Sequence, residues 1–313
     1  MPTTEAPRGF GAGLAFAIAA YLLWGVLPLL FLLLKPAGAV EIVAWRIVLS
    51  LVFCVILLAV TRGWGRFAAI ARDRNAVVTL AIAAVFILIN WLVFIFAALS
   101  DHVVEASLGY FTNPIVTVLL GVILLRERLR PLQWVAIGIS AIAVLVLAIG
   151  YGSFPWIALA LAFSFGAYGL AKKRVGGRVD ALGGLTMETA LLSPFASIAL
   201  LVIALTGGLT PGTAGPVNTV AFLVVGVATA VPLIMFAAAA RRLPLVYLGL
   251  TQYLAPILQF VVGVFLLRED MPFERWIGFG IVWVALIVLT VDMFVNGTRQ
   301  RAAAAAVTPQ GAP

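Results

Sequence analysis

Long apolar runs recur along the whole chain, separated by short segments that hold most of its polar residues. Runs of about 20 residues have the length of a helix that crosses a bilayer. They do not alternate between polar and apolar residues, as the strands of a membrane barrel would. The pattern therefore predicts an all-α membrane protein with ten transmembrane helices. The predicted spans cover residues 10–34, 41–60, 76–98, 104–125, 131–150, 153–171, 183–205, 217–239, 245–267 and 274–295.

Composition supports a location in the membrane. Hydrophobic residues make up 64% of the chain and charged residues 10%, against roughly 25% charged in an ordinary soluble domain. The net charge of +8 would suit nucleic acid, but the cations lie in short loops between apolar runs, where they set orientation. We therefore expect the lipid bilayer, and no nucleic acid, as a partner.

The distribution of Lys and Arg over the loops predicts the orientation. With both termini in the cytoplasm, 16 of the 20 cationic residues fall on the cytoplasmic side, three fall outside and Arg46 falls within a span. This asymmetry is typical of multi-pass membrane proteins. The alanine-rich residues 296–313 are predicted to form a disordered cytoplasmic tail.

One phrase is written twice in the chain. The segments "VLLGVILLRERLRPLQW" (118–134) and "FVVGVFLLREDMPFERW" (260–276) are offset by 142 residues, and the same offset aligns Pro114 with Pro256. Shared apolar composition does not produce matched Pro, Arg, Glu and Trp. We infer a duplicated five-helix unit, with repeats at 10–150 and 153–295.

Five spans is an odd number, so the second repeat enters the membrane inverted. Inverted repeats are typical of secondary transporters, which hold their substrate near the middle of the membrane between the halves. Two similar halves that exchange conformations provide a symmetric route to alternating access. The central chemistry is not symmetric, because Arg46 aligns with Glu188 and Asn90 with Pro232.

Arg46 and Glu188 each lie about five residues into a predicted span. An ionised group at a helix centre costs roughly 2.5–3.5 kcal/mol on insertion scales, and snorkelling relieves part of that cost. Two interpretations stay open: a structural pair or two interface anchors, or a site where a substrate carboxylate meets Arg46 and an amine meets Glu188. Arginine suits a carboxylate because its planar fork donates two parallel hydrogen bonds.

The motif "EASLGYFTNP" opens the fourth span, and its repeat mate is "LGLTQYLAP". Pro114 and Pro256 end the two motifs, and a proline within a helix removes a hydrogen bond, as in the broken helices of transporter sites. Helix packing around a tolerated kink is the alternative. The substrate-binding candidates in the two motifs are Glu105, Tyr110, Asn113, Gln252 and Tyr253.

Other spans add further candidates. Asn90 and Trp91 in the third span and Tyr168 in the sixth are candidate substrate contacts, although an amide such as Asn90 equally joins helices. For proton-coupled transport, the candidate proton carriers are Glu105 and Glu188. The predicted helix breaks lie at Pro28, Pro114, Pro232 and Pro256.

Several chemistries have little support in the sequence. Cys54 and His102 are the only residues of their kinds, so we expect no metal site and no cofactor. The chain has no G-x-x-x-x-G-K-[ST] motif, and no ATPase subunit is indicated. A lipid-modifying membrane enzyme would need a nucleophile and a base at the membrane edge, so we predict that the protein is not an enzyme.

Specific segments carry a family resemblance. "AYLLWGVLPLLF", "EIVAWRIVLS", "NWLVFIFA", "ALAFSFGAYGLAKK", "TMETALLSP" and above all "EASLGYFTNPIVTVLLGVILLRERLRPLQWVA" resemble the RarD proteins, in the EamA branch of the drug/metabolite transporter superfamily. The resemblance covers roughly residues 10–295. It implies a ten-helix carrier of the bacterial inner membrane, formed by duplication, with relatives that export amino acids and other small metabolites.

The resemblance has one departure and leaves two substrate classes open. Smaller drug exporters of the superfamily use a carboxylate in the first span, whereas residues 10–34 contain no Asp or Glu. Our leading hypothesis is an exporter of small polar metabolites such as amino acids, acting as a monomer or homodimer. The alternative is an efflux carrier for amphipathic drugs of the chloramphenicol type, recognised by aromatic residues such as Trp24, Trp91 and Tyr110.

Overall fold

The computed structural model describes residues 10–125, 131–150, 154–175, 178–240, 242–243 and 251–307, and all regular structure in these ranges is helical. A π-helical turn at Val262–Leu266 directly follows the α-helix Leu254–Val261. The helices are α1 (Phe10–Leu32), α2 (Ala39–Val60), α3 (Trp64–Arg72), α4 (Arg74–Leu99), α5 (Val103–Leu125), α6 (Pro131–Gly150), α7 (Trp156–Val175), α8 (Ala181–Thr206), α9 (Pro216–Ala240), α10 (Leu254–Val261) and α11 (Phe273–Val307).

Six helical segments in the described part of the chain are long and apolar enough to cross a membrane. They are Phe10–Leu32, Ala39–Val60, Arg74–Leu99, Ala181–Thr206, Pro216–Phe236 and Phe273–Asp292. Each of the ten predicted spans falls on a helix, although residue 153 of the sixth and residues 245–250 of the ninth lie outside the described residues. The multi-pass helical architecture is therefore confirmed, and the count of ten crossings stays a prediction.

The outer surface of these helices is apolar. Phe195 and Leu205 on α8 expose 69% and 78% of their surface, and large aliphatic side chains are exposed along α2, α4 and α9 as well. A water-soluble protein seldom exposes apolar patches on this scale. Lipid is the solvent that such a surface fits.

Two short stretches differ from the sequence-based expectations. Helix α3 lies in a segment that we predicted to be a loop, and it is amphipathic: Ile70 is buried against Leu80, Val175 and Met187. The last helix continues to Val307, through part of the predicted disordered tail. Alanine has the highest intrinsic helix propensity, which favours helix in the run of five alanines there.

Contacts along the chain divide it into two units. The first comprises residues 1–113 and 156–270, and it contains α1–α4, the first half of α5 and α7–α10. Within it α4 packs against α7, α2 against α8 and α9, and α1 against α9 and α10. Its largest buried cluster includes Phe31, Ile42 and Leu161, which are all at most 1% exposed.

Helices α2 and α8 of this unit run antiparallel. At one end Glu41, near the start of α2, accepts hydrogen bonds from the backbone N–H and the hydroxyl of Thr210, which follows α8 (2.7 and 2.8 Å). At the other end Cys54 packs with Leu185, near the start of α8. This pairing fixes the relative depth of the side chains on the two helices.

The second unit comprises residues 114–155 and 271–313. In it α6 packs along α11, with Ala136, Ala143, Phe279 and Val282 fully buried. Each unit contains residues from both predicted sequence repeats. Spatial contact and common descent are different criteria, so the repeat boundaries at 10–150 and 153–295 stay a prediction.

Candidate functional site

Arg46 is a buried cation on α2, with 4% of its surface exposed. Its Cζ lies 4.3 Å from the ring centroid of Trp91 and 5.7 Å from that of Phe31, so cation–π attraction holds the guanidinium in place. Its Nε and Nη1 atoms have no hydrogen-bond partner among the described residues. Burying unsatisfied donors on a charged group is costly, and an anionic acceptor would remove that cost.

Glu188 on α8 pairs with a lysine and not with Arg46. Its Oε1 accepts from Lys172 Nζ at 2.7 Å, and the hydroxyl of Tyr168 donates to Oε2 at 3.3 Å. The Glu188 side chain is 2% exposed and that of Lys172 is 28% exposed. The lysine therefore reaches from the edge of the unit to neutralise a fully buried carboxylate.

The two charged centres lie at different depths. Arg46 comes eight residues before Cys54, and Glu188 comes three residues after Leu185, the residue that packs with Cys54. In an antiparallel helix pair this difference of five residues separates them by about 7–8 Å along the axis. The sequence left Arg46 and Glu188 as a structural pair, two interface anchors or one substrate site, and in the fold they lie at two levels, here called stations, along α2 and α8.

Five aromatic rings join these stations. In order of contact they are Phe31, Phe94, Tyr110, Phe165 and Tyr168, with neighbouring centroids 5.5–6.0 Å apart. The described residues contain no group of three His, Cys, Asp or Glu side chains that could hold a metal ion. What the site offers for recognition is charge, hydrogen bonding and aromatic contact.

Asn90 is the polar centre of the aromatic row. Its Oδ1 accepts from the Tyr110 hydroxyl at 2.9 Å, and its Nδ2 donates to the Leu161 carbonyl at 3.3 Å and to Ser164 Oγ at 3.2 Å. Both ends of the amide are occupied, and the bonds join α4 to α5 and α7. Asn90 therefore fixes the position of Tyr110 and acts as a link between helices.

Glu105 and Gly109 face the first turn of α7. Glu105 accepts from the backbone N–H groups of Ile157 (3.1 Å) and Ala158 (3.4 Å), so it caps that helix. A Cβ at Gly109 would lie 2.7 Å from the Ala158 carbonyl oxygen, which shows how closely the backbones approach. Asn113, one helical turn further on, has a buried Oδ1 with no partner among the described residues.

The start of α5 is capped in the same way, by a glutamate that accepts backbone N–H groups beside a closely packed glycine. Glu269 accepts from the backbone N–H groups of Val103 (2.6 Å) and Val104 (2.9 Å). A Cβ at Gly263 would lie 2.6 Å from the Val104 side chain. Sequence reasoning did not single out Glu269, although it is the glutamate of the second "LLRE" phrase.

We expect the stability of the protein to depend on the ionisation of Glu269. Desolvation raises the pKa of this carboxyl above its ordinary value, and the N–H groups of Val104 and Val103 offset only part of that effect. A folded-state pKa above the unfolded value means that the unfolded chain binds fewer protons. Stability should therefore fall as pH rises from about 4.5 through the raised pKa.

The Glu269→Gln variant, which cannot ionise there, isolates this effect. The difference in melting temperature, wild type minus variant, should decrease as pH rises from 4 to 8 in detergent. Glu274→Gln, which removes an exposed carboxylate nearby in the chain, is the matched control for the loss of a surface charge. A difference for Glu269→Gln that grows with pH would contradict the expectation.

Pro28 explains a buried glutamine that sequence reasoning missed. Proline has no N–H, so the carbonyl four residues earlier, that of Trp24, loses its helical partner. Gln259 on α10 donates its Nε2 to that oxygen at 3.3 Å. A proline inside an apolar span is the signal that could have led to a search for such a partner.

Three further prolines, Pro114, Pro194 and Pro232, lie inside helices. Pro114 and Pro232 lie inside continuous helices, as Pro28 does, so no predicted break at these three positions interrupts the helix. Pro194 on α8 frees the carbonyl of Ala190, which Ser193 Oγ satisfies at 2.9 Å. A neighbouring side chain on α8 thus satisfies the carbonyl that the proline leaves without its helical partner.

The second proline motif lies at the start of α10. Pro256 is in the first turn of that helix, where the backbone N–H has no intrahelical partner to lose. Gln252 and Tyr253 are half-buried in the turn just before it. They stay predicted substrate contacts, as do Trp91 and Tyr110 beside Arg46.

Comparison with known proteins supplies the family. The EamA-like transporter family model matches residues 11–149. Protein RarD of Streptomyces exfoliatus is 46% identical over 297 residues, 95% of this chain and 94% of that protein. The uncharacterized transporter YojE of Bacillus subtilis is 39% identical over 283 residues, 89% of this chain and 93% of that protein.

One solved crystal structure is similar to this chain, with a TM-score of 0.57 and 19% sequence identity. The match covers 90% of this chain and 98% of the chain in that structure. At that identity the likeness concerns the fold alone. The sequence relatives are full-length matches well above the level at which family membership is uncertain, and their names and the family model agree with the apolar helices. The chain belongs to the RarD group of the EamA-like transporter family, and it is a multi-pass bacterial membrane transporter.

Proposed function

We propose that this transporter is a secondary carrier that exports small polar metabolites bearing a carboxylate, amino acids above all, by alternating access. The observation that carries the proposal is Arg46, a guanidinium that is 4% exposed and whose Nε and Nη1 have no acceptor among the described residues. A chain that keeps such a charge in its apolar interior needs a compensating anion. In a transporter, the substrate is the natural source of that anion.

The surroundings of Arg46 favour a carboxylate as the anion. A guanidinium stacked on an aromatic ring keeps its N–H groups in one plane, and a carboxylate accepts two such bonds side by side. Trp91 provides the stacking surface at 4.3 Å. The row of aromatic rings from Phe31 to Tyr168 offers apolar contact to the rest of the substrate. Small amphipathic acids therefore also fit the proposal.

The proposed transport cycle rests on the inverted duplication. Ten spans in two inverted five-helix repeats, with both termini in the cytoplasm of the inner membrane, would let each repeat take the conformation of the other. Arg46 would then alternate between the two sides of the membrane. The excess of Lys and Arg in the loops predicted to be cytoplasmic, 16 against three outside, supports this orientation.

Glu188 is the better candidate for proton coupling. Glu105 accepts two backbone N–H groups at the start of α7, so its carboxylate already has a structural role. Glu188 has a cationic partner instead, the partly exposed Lys172. A proton on Glu188 would release the lysine and loosen α7 from α8, which would link proton binding to a change in helix packing.

The proposal is tested by thermal unfolding of detergent-purified protein against amino acids, dipeptides, organic acids and chloramphenicol. A ligand at 100 times its Kd stabilises the folded state by roughly 2.7 kcal/mol. Each acid is paired with its methyl ester, which has the same side chain and no negative charge. We expect stabilisation by at least one acid and none by its ester.

Transport of the stabilising acid is then measured by counterflow in proteoliposomes, with radiolabelled acid outside and unlabelled acid inside. Counterflow of that acid, and none of its ester, would support a carrier for carboxylates. Stabilisation by chloramphenicol alone would instead favour the amphipathic-drug alternative. Acid and ester acting equally would remove Arg46 from recognition and overturn the proposal.

A further inference from the structure

Gln259 is a buried amide with only one end occupied. It is 2% exposed, and its Nε2 donates to the Trp24 carbonyl that Pro28 leaves without a helical partner. Its Oε1 has no hydrogen-bond partner among the described residues. A buried acceptor without a donor costs free energy, as the unpaired donors of Arg46 do.

The position of Gln259 is fixed by close packing of α10 on α1. A Cβ at Gly25 would lie 2.7 Å from the Cβ of Leu258, so the two helix backbones are nearly in contact there. Gln259 follows Leu258 directly, and its amide therefore lies against the α1 backbone at Trp24. The hydrogen bond of Nε2 and this packing orient the amide, and a recognition group needs such positioning.

Arg46 and Gln259 meet the same helix seven residues apart. The guanidinium lies over Phe31, and the amide lies at Trp24. Positions seven residues apart share a face of a helix and are about 10 Å apart along its axis. Along one face of α1, donors of Arg46 near Phe31 and the acceptor of Gln259 near Trp24 thus have no partner within the described ranges.

We propose that Gln259 Oε1 accepts a hydrogen bond from the protonated amino group of the substrate whose carboxylate binds Arg46; this inference rests on the proposed function. The two positions on α1 are about 10 Å apart along the axis, and hydrogen bonds of about 2.9 Å at each end take up more than half of that length, so a ligand with a short spacing between its two groups is favoured. That spacing fits α-amino acids and β-amino acids. The rings of Tyr21, Trp24 and Phe236, which contact one another at 5.3–6.0 Å, favour a cation at this end.

This assignment separates the two ends of the substrate. Glu188, the carboxylate first considered for the amine, already has the ammonium of Lys172 as its partner. A neutral amide oxygen binds an ammonium without adding another charge to the apolar interior. Arg46 would select acids in general, and Gln259 would select among them those that carry an N–H donor.

The test compares each amino acid with its deaminated acid: L-alanine with propionate, L-leucine with 4-methylpentanoate, and L-phenylalanine with 3-phenylpropanoate. Wild-type protein should bind at least one amino acid about tenfold more tightly than its deaminated partner, which is the value of one hydrogen bond to a charged group. Affinities are measured by calorimetry in detergent. Equal wild-type affinities for both members of every pair would overturn the inference and leave the proposed function standing.

The variant design removes recognition while keeping the helix intact. Pro28→Ala restores an N–H for the Trp24 carbonyl, so in the double variant Pro28→Ala with Gln259→Met the helix no longer needs the glutamine. Pro28→Ala alone is the matched control, and it should keep the tenfold preference. The double variant should bind the deaminated acid within about twofold of the control and lose the preference for the amino acid.

The outcomes separate the two proposals. A preference that persists in the double variant would overturn the role of Gln259, because a merely structural residue would not change the ratio of two affinities. Failure of every acid, aminated or not, to bind the wild-type protein would overturn the proposed function itself. Binding of deaminated acids alone would contradict only the inference about Gln259.

Discussion

Replacing Arg46 with glutamine is expected to abolish binding of carboxylate ligands and to stabilise the empty protein. Removing one partner of a buried charged hydrogen bond costs about 2–5 kcal/mol of binding. The wild-type protein without ligand, however, carries in its apolar interior a guanidinium with two nitrogen atoms that no described residue pairs. Such a charge costs roughly 2.5–3.5 kcal/mol at a helix centre, so the empty variant should unfold at a higher temperature than wild type.

Thermal unfolding with and without ligand measures both effects in one experiment. Arg46→Lys should bind acids with intermediate affinity, because it keeps the charge and loses the planar fork. Arg62→Gln, which changes an exposed arginine, should alter neither property. An Arg46→Gln protein that is less stable when empty and still binds the acid would identify Arg46 as a structural residue.

Lys172→Met is expected to cause the largest loss of stability among single changes at the two stations. It leaves the Glu188 carboxylate, 2% exposed, without its cation in the interior. Breaking a buried pair from one side costs about 3–5 kcal/mol, and Lys172 is 28% exposed, so we expect a value near the lower limit. Unfolding in a denaturing detergent measures the free energy.

The double variant Lys172→Met with Glu188→Gln completes a mutant cycle. It should recover most of the stability, because a glutamine still accepts from Tyr168 and carries no charge that needs a partner. Glu188→Gln alone should cost less than Lys172→Met, since the freed lysine can reach polar surroundings. Equal losses that simply add in the double variant would show that the pair is not coupled.

The sequence predicted the two charged residues but not their partners. An ionised residue inside a long apolar run is visible from the sequence alone, so Arg46 and Glu188 could be found. Lys172 was assigned to a loop, because the predicted span ended at residue 171. The structure continues α7 to Val175, and the long side chain of Lys172 reaches back into the interior from the last part of the helix.

The roles of the glutamates were less visible. Glu105 lies on a helix face with Gly109 and Asn113, a pattern that indicates a polar surface, yet the surface it meets is the start of α7. Glu269 caps a helix that begins 166 residues earlier. No local pattern reports a hydrogen bond over such a distance, so these caps could be recognised only once the helices were packed.

The separation between Glu269 and the helix it caps has a consequence for biogenesis. Val103 is synthesised 166 residues before Glu269, which at 5–20 residues per second is roughly 8–30 s. Throughout that interval the nascent chain holds the beginning of α5 with two backbone N–H groups that have not met their carboxylate. The early helices must therefore insert while the first turn of α5 is frayed. That turn can be capped only after the ribosome has synthesised the second "LLRE" segment, which contains Glu269.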